Sequence, residues 1–158
     1  MTIIIALDSF KGCLSAPDAC RAVAEGIQSV RPDANIVLLP MSDGGEGLTD
    51  VLSHVIPGRF IDVQVHGPLA EKMHARYLLS SDCRTAYMEM ASACGLTLVS
   101  EALRNPLHTT TYGLGEMMTD ALTRGAKHLI IGIGGSATND AGLGMLQALG
   151  YTFFNQQK

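Results

Sequence analysis

The sequence predicts an α/β fold that begins with a parallel sheet. Short apolar runs alternate with helical patterns over residues 1–56, in the order strand, helix, strand, helix, which is typical of parallel α/β architecture. Three strand-like runs then follow one another between residues 59 and 90 with no helical pattern between them. Such a succession indicates an antiparallel layer or a change of domain near residue 60.

The elements of the first half follow from local patterns. Residues 2–7 form a short apolar run that predicts a buried strand. Ser15 precedes a helical pattern that reaches residue 30, with Pro17 in its first turn and Asp18 three residues after Ser15, which is the signature of a capped helix start. The other predicted elements of this half are a strand over residues 35–40 and a helix over residues 48–56.

The second half contains more strands. Turn residues separate the strand-like runs, and Gly125 is a plausible C-cap for the helical pattern that precedes it. The predicted elements are strands over residues 59–65, 74–79 and 84–90, a helix over 109–124, a strand over 127–133, a helix over 139–149 and the start of a strand over 151–154.

Composition excludes several classes of function. The 158 residues carry a formal net charge of −4 and no basic run, so we expect no nucleic-acid partner. No apolar stretch approaches the ~20 residues of a membrane span, and we expect neither a membrane partner nor a signal peptide. The four cysteines have no CxxC spacing and the five histidines no HxxxH spacing, so zinc lacks support and we expect reduced thiols in the cytoplasm.

Polar residues gather where three predicted strands end. These segments are residues 8–12, 42–47 and 134–140. Ligands of open α/β sheets bind outside the carboxyl ends of the strands, so we expect the three loops to line one site. Together they supply a lysine, carboxylates, hydroxyls and glycines, which are the groups that phosphoryl transfer requires for positioning and charge neutralisation.

Each charged residue of these loops has two interpretations. Lys11 is either a point charge for a phosphate or substrate carboxylate, or a solvated loop lysine. Asp8 and Asp43 either hold Mg²⁺ or accept a proton from a hydroxyl, or they stabilise turns and helix starts. Glu46 is either a metal or ligand-positioning group, or a first-turn glutamate favoured by the helix dipole.

The loop over residues 134–140 follows an apolar strand and precedes a helical pattern, so we expect it to aim unpaired backbone N–H groups at an anion. Ser136 and Thr138 are either phosphate ligands or ordinary loop hydroxyls, and Asn139 and Asp140 are also typical helix caps. Residues 132–137 match GxGxxG/A, but no carboxylate follows about 20 residues later. A dinucleotide-binding oxidoreductase domain is therefore the alternative function.

Four segments resemble the bacterial glycerate kinases of the type I glycerate 2-kinase family. Residues 6–16 read ALDSFKGCLSA, where the family has APDSFKGSLSA, and residues 43–47 resemble its ADGGEGT motif. Residues 105–116 resemble NPL..TTYGTGE, and residues 131–140 read IGIGGSATND, as in the family. The departures are mild: the chain has Leu7, Cys13, Ser42, Leu48 and Ala141 where the family has Pro, Ser, Ala, Thr and Gly.

This resemblance implies ATP-dependent phosphorylation of D-glycerate to a phosphoglycerate with Mg²⁺. It also implies a two-domain protein with its site in the cleft between domains. Residues 1–60 would then start a Rossmann-like domain, and residues 61–158 would be part of a second α/β domain. Family members are more than twice as long, so we expect a truncated copy. The resemblance leaves open which hydroxyl is phosphorylated and how the protein oligomerises.

The resemblance also identifies site residues by their positions in the motifs. The catalytic candidates are Asp8, Lys11 and Asp43, of which Asp8 or Asp43 would hold Mg²⁺. The candidates for binding substrate or nucleotide are Ser9, Glu46, Asn105, Gly134, Gly135, Ser136, Thr138, Asn139 and Asp140.

Overall fold

The first sheet is a parallel pair joined by a helix. The computed structural model describes residues 1–155, in which β1 (Thr2–Ile5) pairs with β2 (Asn35–Leu38). Parallel neighbours require a crossover connection, and α1 (Ala16–Val30) provides it. The Ser15 hydroxyl accepts a hydrogen bond from the Asp18 N–H at 3.3 Å, which confirms the predicted helix start.

The second sheet has four strands, which lie in the order β3 (Gly58–His66), β4 (Lys72–Ser80), β5 (Thr85–Glu89) and β6 (His128–Gly132). Strand β4 is antiparallel to both β3 and β5, whereas β5 and β6 are parallel. The α/β fold with a parallel start and the antiparallel layer are confirmed, whereas the domain division near residue 60 stays a prediction.

Four further helices connect or flank the strands. They are α2 (Leu48–Ser53), α3 (Ala91–Cys94), α4 (Tyr112–Thr123) and α5 (Leu143–Ala148). Two single-turn 3₁₀ helices, Leu96–Leu98 and Glu101–Leu103, lie between α3 and α4. Every helix in residues 1–155 is too short or too polar to cross a bilayer.

The main core lies between the second sheet and α4. Tyr77 and Met88 from the sheet and Met117 from α4 are fully buried within it. The Tyr77 hydroxyl reaches the edge of this core, where it donates a hydrogen bond to Asp120 at 2.7 Å. Burial of apolar side chains is the dominant stabilising contribution to a fold. Because the main core lies on the second sheet, this sheet gives well-packed support to the loops that follow its strands.

Some predicted element boundaries are wrong. The predicted strand over residues 151–154 is absent because no described strand lies beside it to complete a ladder, and residues 156–158 lie outside the described residues. The last helix begins at Leu143 rather than residue 139, since Ala141 and Gly142 have left-handed φ values of +52° and +75°. Such φ values cannot continue a right-handed helix.

Candidate active site

The loops after β1, β2 and β6 meet, as the sequence predicts. The Asp8 carboxylate accepts a hydrogen bond from the Asp43 N–H at 3.2 Å, which joins the first loop to the second. The Gly134 N–H donates to the Gly44 carbonyl at 3.1 Å, which joins the third loop to the second. The loop over residues 43–47 therefore lies between the other two.

The contact between the second and third loops is made by backbone atoms. A Cβ atom placed on Gly134 would lie only 2.7 Å from the Gly45 Cα, and one placed on Gly132 would collide with the Gly44 carbonyl oxygen. Any side chain at these positions would push the loops apart. The glycines of the GxGxxG-like motif thus serve loop packing here.

Internal hydrogen bonds shape the loop over residues 43–47. The Asp43 carboxylate accepts the Gly45 N–H at 2.9 Å, in a turn typical of aspartate. Gly44 and Gly47 both have a φ of +90°, a conformation that side chains disfavour. Asp43 consequently has the turn-forming contact that was one of its two predicted interpretations, while its carboxylate remains exposed.

A cleft of about 520 Å³ opens beside these loops. Ser9 and Lys11 line it from the first loop, and Glu46 lines it from the second. The opposite wall consists of β4 and the segment around α3, through Met73, His74, Arg76, Ala91, Ser92, Thr97 and Leu98. Lys11 is exposed and forms no ion pair with any residue in 1–155, so its charge is available to an anionic ligand.

Three charged residues of the cleft, Asp50, Arg76 and Glu89, were missed by the sequence analysis. Arg76 pairs with Asp50 at 2.7 Å and lies 4.4 Å from the centre of the Phe60 ring. Glu89 is only 6% exposed and accepts hydrogen bonds from Gly47 and Thr49. Glu89 stands at the carboxyl end of β5, so the strand-end rule that identified Asp8 and Asp43 could also have found it.

The loop over residues 134–140 is less open than predicted. Its N–H groups at Gly134, Ala137 and Thr138 already donate to the Gly44 carbonyl, the Cys94 carbonyl and the Ser136 hydroxyl. The expectation of unpaired N–H groups is therefore wrong at these three positions. It fails because neighbouring segments and the loop's own Ser136 hydroxyl, rather than a ligand, supply the acceptors.

Asp140 connects the starts of α4 and α5. Its carboxylate accepts hydrogen bonds from the N–H and hydroxyl of Thr111 and from the N–H groups of Gly142 and Gly144. Burial alone raises the pKa of Asp140, but these bonds outweigh burial and hold that pKa below its ordinary value. The structure thus contains the contacts that the capping interpretation of Asp140 predicts.

Of the other predicted residues, some shape the third loop and some lie away from the cleft. Gly135 has a φ of +73°, and Ser136 and Thr138 join their hydroxyls at 2.7 Å. Asn105 and Asn139 are exposed and do not line the described cleft. Ser9, Lys11 and Glu46 therefore line the cleft. Asp8, Asp43 and the third loop lie behind this lining and hold the loops together. Every assignment of these residues to ligand binding stays a prediction.

Comparison with known proteins identifies relatives of this chain by sequence. A sequence model described as "Glycerate kinase family" matches residues 3–158. The chain is 49% identical over 155 residues to the glycerate kinase of Bacillus cereus and 54% identical over 150 residues to that of Bacillus subtilis. It is also 48% identical over 150 residues to the glycerate 2-kinase of Escherichia coli. The dinucleotide-binding alternative finds no support among these matches.

A solved structure confirms the similarity in three dimensions. The crystal structure of a Salmonella typhimurium LT2 protein described as a glycerate kinase 2 superposes with a TM-score of 0.78 at 48% identity, over 99% of this chain and 42% of that one. The three curated relatives are covered over 98%, 95% and 95% of this chain and 41%, 39% and 39% of their own length. The chain thus spans about two fifths of the proteins it matches.

Proposed function

Because the chain belongs to the glycerate kinase family, we propose that it provides part of the site of an enzyme that transfers a phosphoryl group from ATP to D-glycerate in the cytoplasm. One observation carries the proposal: Lys11, which has no ion-pair partner in residues 1–155, lines a cleft at the carboxyl ends of the strands. Both proposed substrates are anions, so they need such a cation.

The proposal gives the loop residues different tasks. Lys11 would neutralise a phosphate or the substrate carboxylate, and Ser9 and Glu46, in the same lining, would orient polar groups of the ligand. Asp8 or Asp43 would accept the proton of the attacking hydroxyl or hold the metal. Precise orientation of the reacting groups contributes much of the rate in phosphoryl transfer.

Mg²⁺ is part of the proposal, and the donor chemistry fits it. Mg²⁺ prefers oxygen ligands and is usually held by one or two carboxylates together with substrate phosphates. Asp8 and Asp43 are carboxylates of this kind on neighbouring loops, joined through the Asp43 N–H, and residues 1–155 contain no cluster of three or more potential metal ligands. When bound, Mg²⁺ would offset the negative charge on the transferred phosphate.

A lysine substitution tests the proposal. In a full-length version of the enzyme, we expect Lys11→Met to lower kcat/KM for D-glycerate by well over tenfold, because a charge-assisted contact contributes about 1.5–3 kcal/mol. The measurement is ADP release with MgATP and D-glycerate. Lys127→Met is the matched control, since Lys127 is an exposed lysine outside the cleft lining. Unchanged kinetics for Lys11→Met, or a wild-type protein that binds neither substrate, would contradict the proposal.

A further inference from the structure

We propose that Glu89 is a positioning residue: its buried carboxylate fixes the start of α2 and the loop over residues 43–47, and thereby the cleft wall that carries Glu46. The effect on substrate affinity depends on the proposed function. The placement of the loop does not, and it can be tested separately.

Both carboxylate oxygens of Glu89 are engaged. One accepts the Thr49 N–H and the Thr49 hydroxyl, each at 2.7 Å, and the other accepts the Gly47 N–H at 3.0 Å. With only 6% of the residue exposed, the carboxylate depends mainly on these protein donors. A buried charge without partners is costly, so the native state keeps the loop against Glu89.

Glu89 acts together with the neighbouring strand. It is the register partner of Gly132, where β5 and β6 end side by side. The Gly134 N–H donates a hydrogen bond to the Gly44 carbonyl, and the Glu89 carboxylate accepts one from the Gly47 N–H. The loop is thus fixed at both ends, and Glu46, which lies between them, lines the cleft.

Substitution by glutamine separates this role from simple packing. Glu89→Gln keeps the size of the side chain, but its amide has only one acceptor oxygen beside an NH₂ donor. It can therefore accept from the Gly47 N–H or from the Thr49 N–H, but not from both in the way that the two carboxylate oxygens do. We therefore expect the loop to be released locally. The β3–β4 ladder lies outside these contacts and should remain intact.

Amide hydrogen exchange followed by NMR tests the placement. In Glu89→Gln we expect exchange to accelerate by about tenfold or more at Gly47, at Thr49 or at both, with ladder amides such as that of Tyr77 unchanged. Glu25→Gln, at an exposed glutamate of α1, is the matched control and should change neither. Unchanged exchange at Gly47 and Thr49, or an equal rise in the ladder, overturns the inference.

Thr49→Val covers the case in which Glu89→Gln does not fold. It removes only the hydroxyl donor to Glu89 and keeps the shape of the side chain. We expect a smaller, severalfold acceleration at the same two amides, and no acceleration there overturns the inference.

Kinetics separate positioning from stability. In the active enzyme, we expect Glu89→Gln to raise KM for D-glycerate or MgATP by about fivefold or more, with kcat changed much less. An unchanged KM in a variant whose loop exchanges faster overturns the link to the cleft. If the full-length enzyme transfers no phosphate, the proposed function fails, whereas the exchange result still decides the role of Glu89.

Discussion

Gly134→Ala is a direct test of the contact that joins the second and third loops. The new Cβ would lie 2.7 Å from the Gly45 Cα and 3.0 Å from the Gly45 nitrogen. Carbon atoms normally rest about 3.5–4 Å apart, so one loop must move by about 1 Å. The atoms in conflict belong to backbone on both sides, and no flexible side chain can relieve the contact.

The cost of this substitution has two parts. Overpacking of a well-packed region costs about 1–3 kcal/mol, and the movement also weakens the hydrogen bond from the Gly134 N–H to the Gly44 carbonyl, worth about 1 kcal/mol. Gly134 is not in the left-handed region, so alanine adds no backbone strain of its own. We expect the free energy of unfolding, measured by urea titration with circular dichroism, to fall by about 2–4 kcal/mol.

Gly26→Ala provides the matched control within the same chain. Gly26 lies in α1, has open space where its Cβ would be placed, and has no left-handed φ. Alanine is therefore expected to stabilise the helix by about 0.5–1 kcal/mol. The two variants make the same chemical change with opposite expected signs. A Gly134→Ala protein as stable as the wild type, or a loss of similar size in both variants, would refute the reasoning.

Three further predictions concern a charged cap, a strained backbone position and a helix cap. Asp140→Asn should lower the free energy of unfolding by about 1–3 kcal/mol at neutral pH, because the new NH₂ group faces N–H donors. The native pKa of Asp140 lies below its ordinary value of 3.8. The ionised carboxylate therefore contributes fully to the free energy of unfolding above about pH 4, and this contribution declines as the pH falls further. In urea titrations down to pH 2, the free energy of unfolding should decline less steeply in the variant than in the wild type. Ala141→Gly should stabilise the protein by roughly 0.5–1 kcal/mol, because it relieves the φ of +52°, and an unchanged thermal midpoint would argue against strain there. Ser15→Ala should cost about 1 kcal/mol through loss of the α1 cap, whereas Ser29→Ala, near the other end of that helix, should change stability far less in the same denaturation assay.

Features set by neighbouring residues were predicted well. The start of α1 depends on Ser15, Pro17 and Asp18, which lie within four residues of one another. The three strand-end loops were also identified correctly as neighbours, although they follow strands of two separate sheets, β1 and β2 in one and β6 in the other. The sequence contains the whole capping pattern of α1, whereas the two sheets are joined at these loops by contacts between distant residues.

Features set by distant residues were not predictable. The contacts of Glu89 exist only because β5 lies beside β6 and the loop over residues 43–47 packs on the ends of both. The N–H groups of Gly134 and Ala137 are occupied for the same reason. Residues 151–154 have the composition of a strand, but a strand requires a partner, and composition does not reveal whether one is present.

The way the 43–47 loop is held has a consequence for how the protein folds. The β3–β4 ladder joins neighbouring segments through a short turn, whereas Gly44 and Gly134 are 90 residues apart in the chain. Closing a longer segment costs more chain entropy, so the hairpin should form early and the loop should dock late. The cleft is then assembled after the hairpin, and damage to its loop contacts would leave the hairpin formed but the cleft wall misplaced.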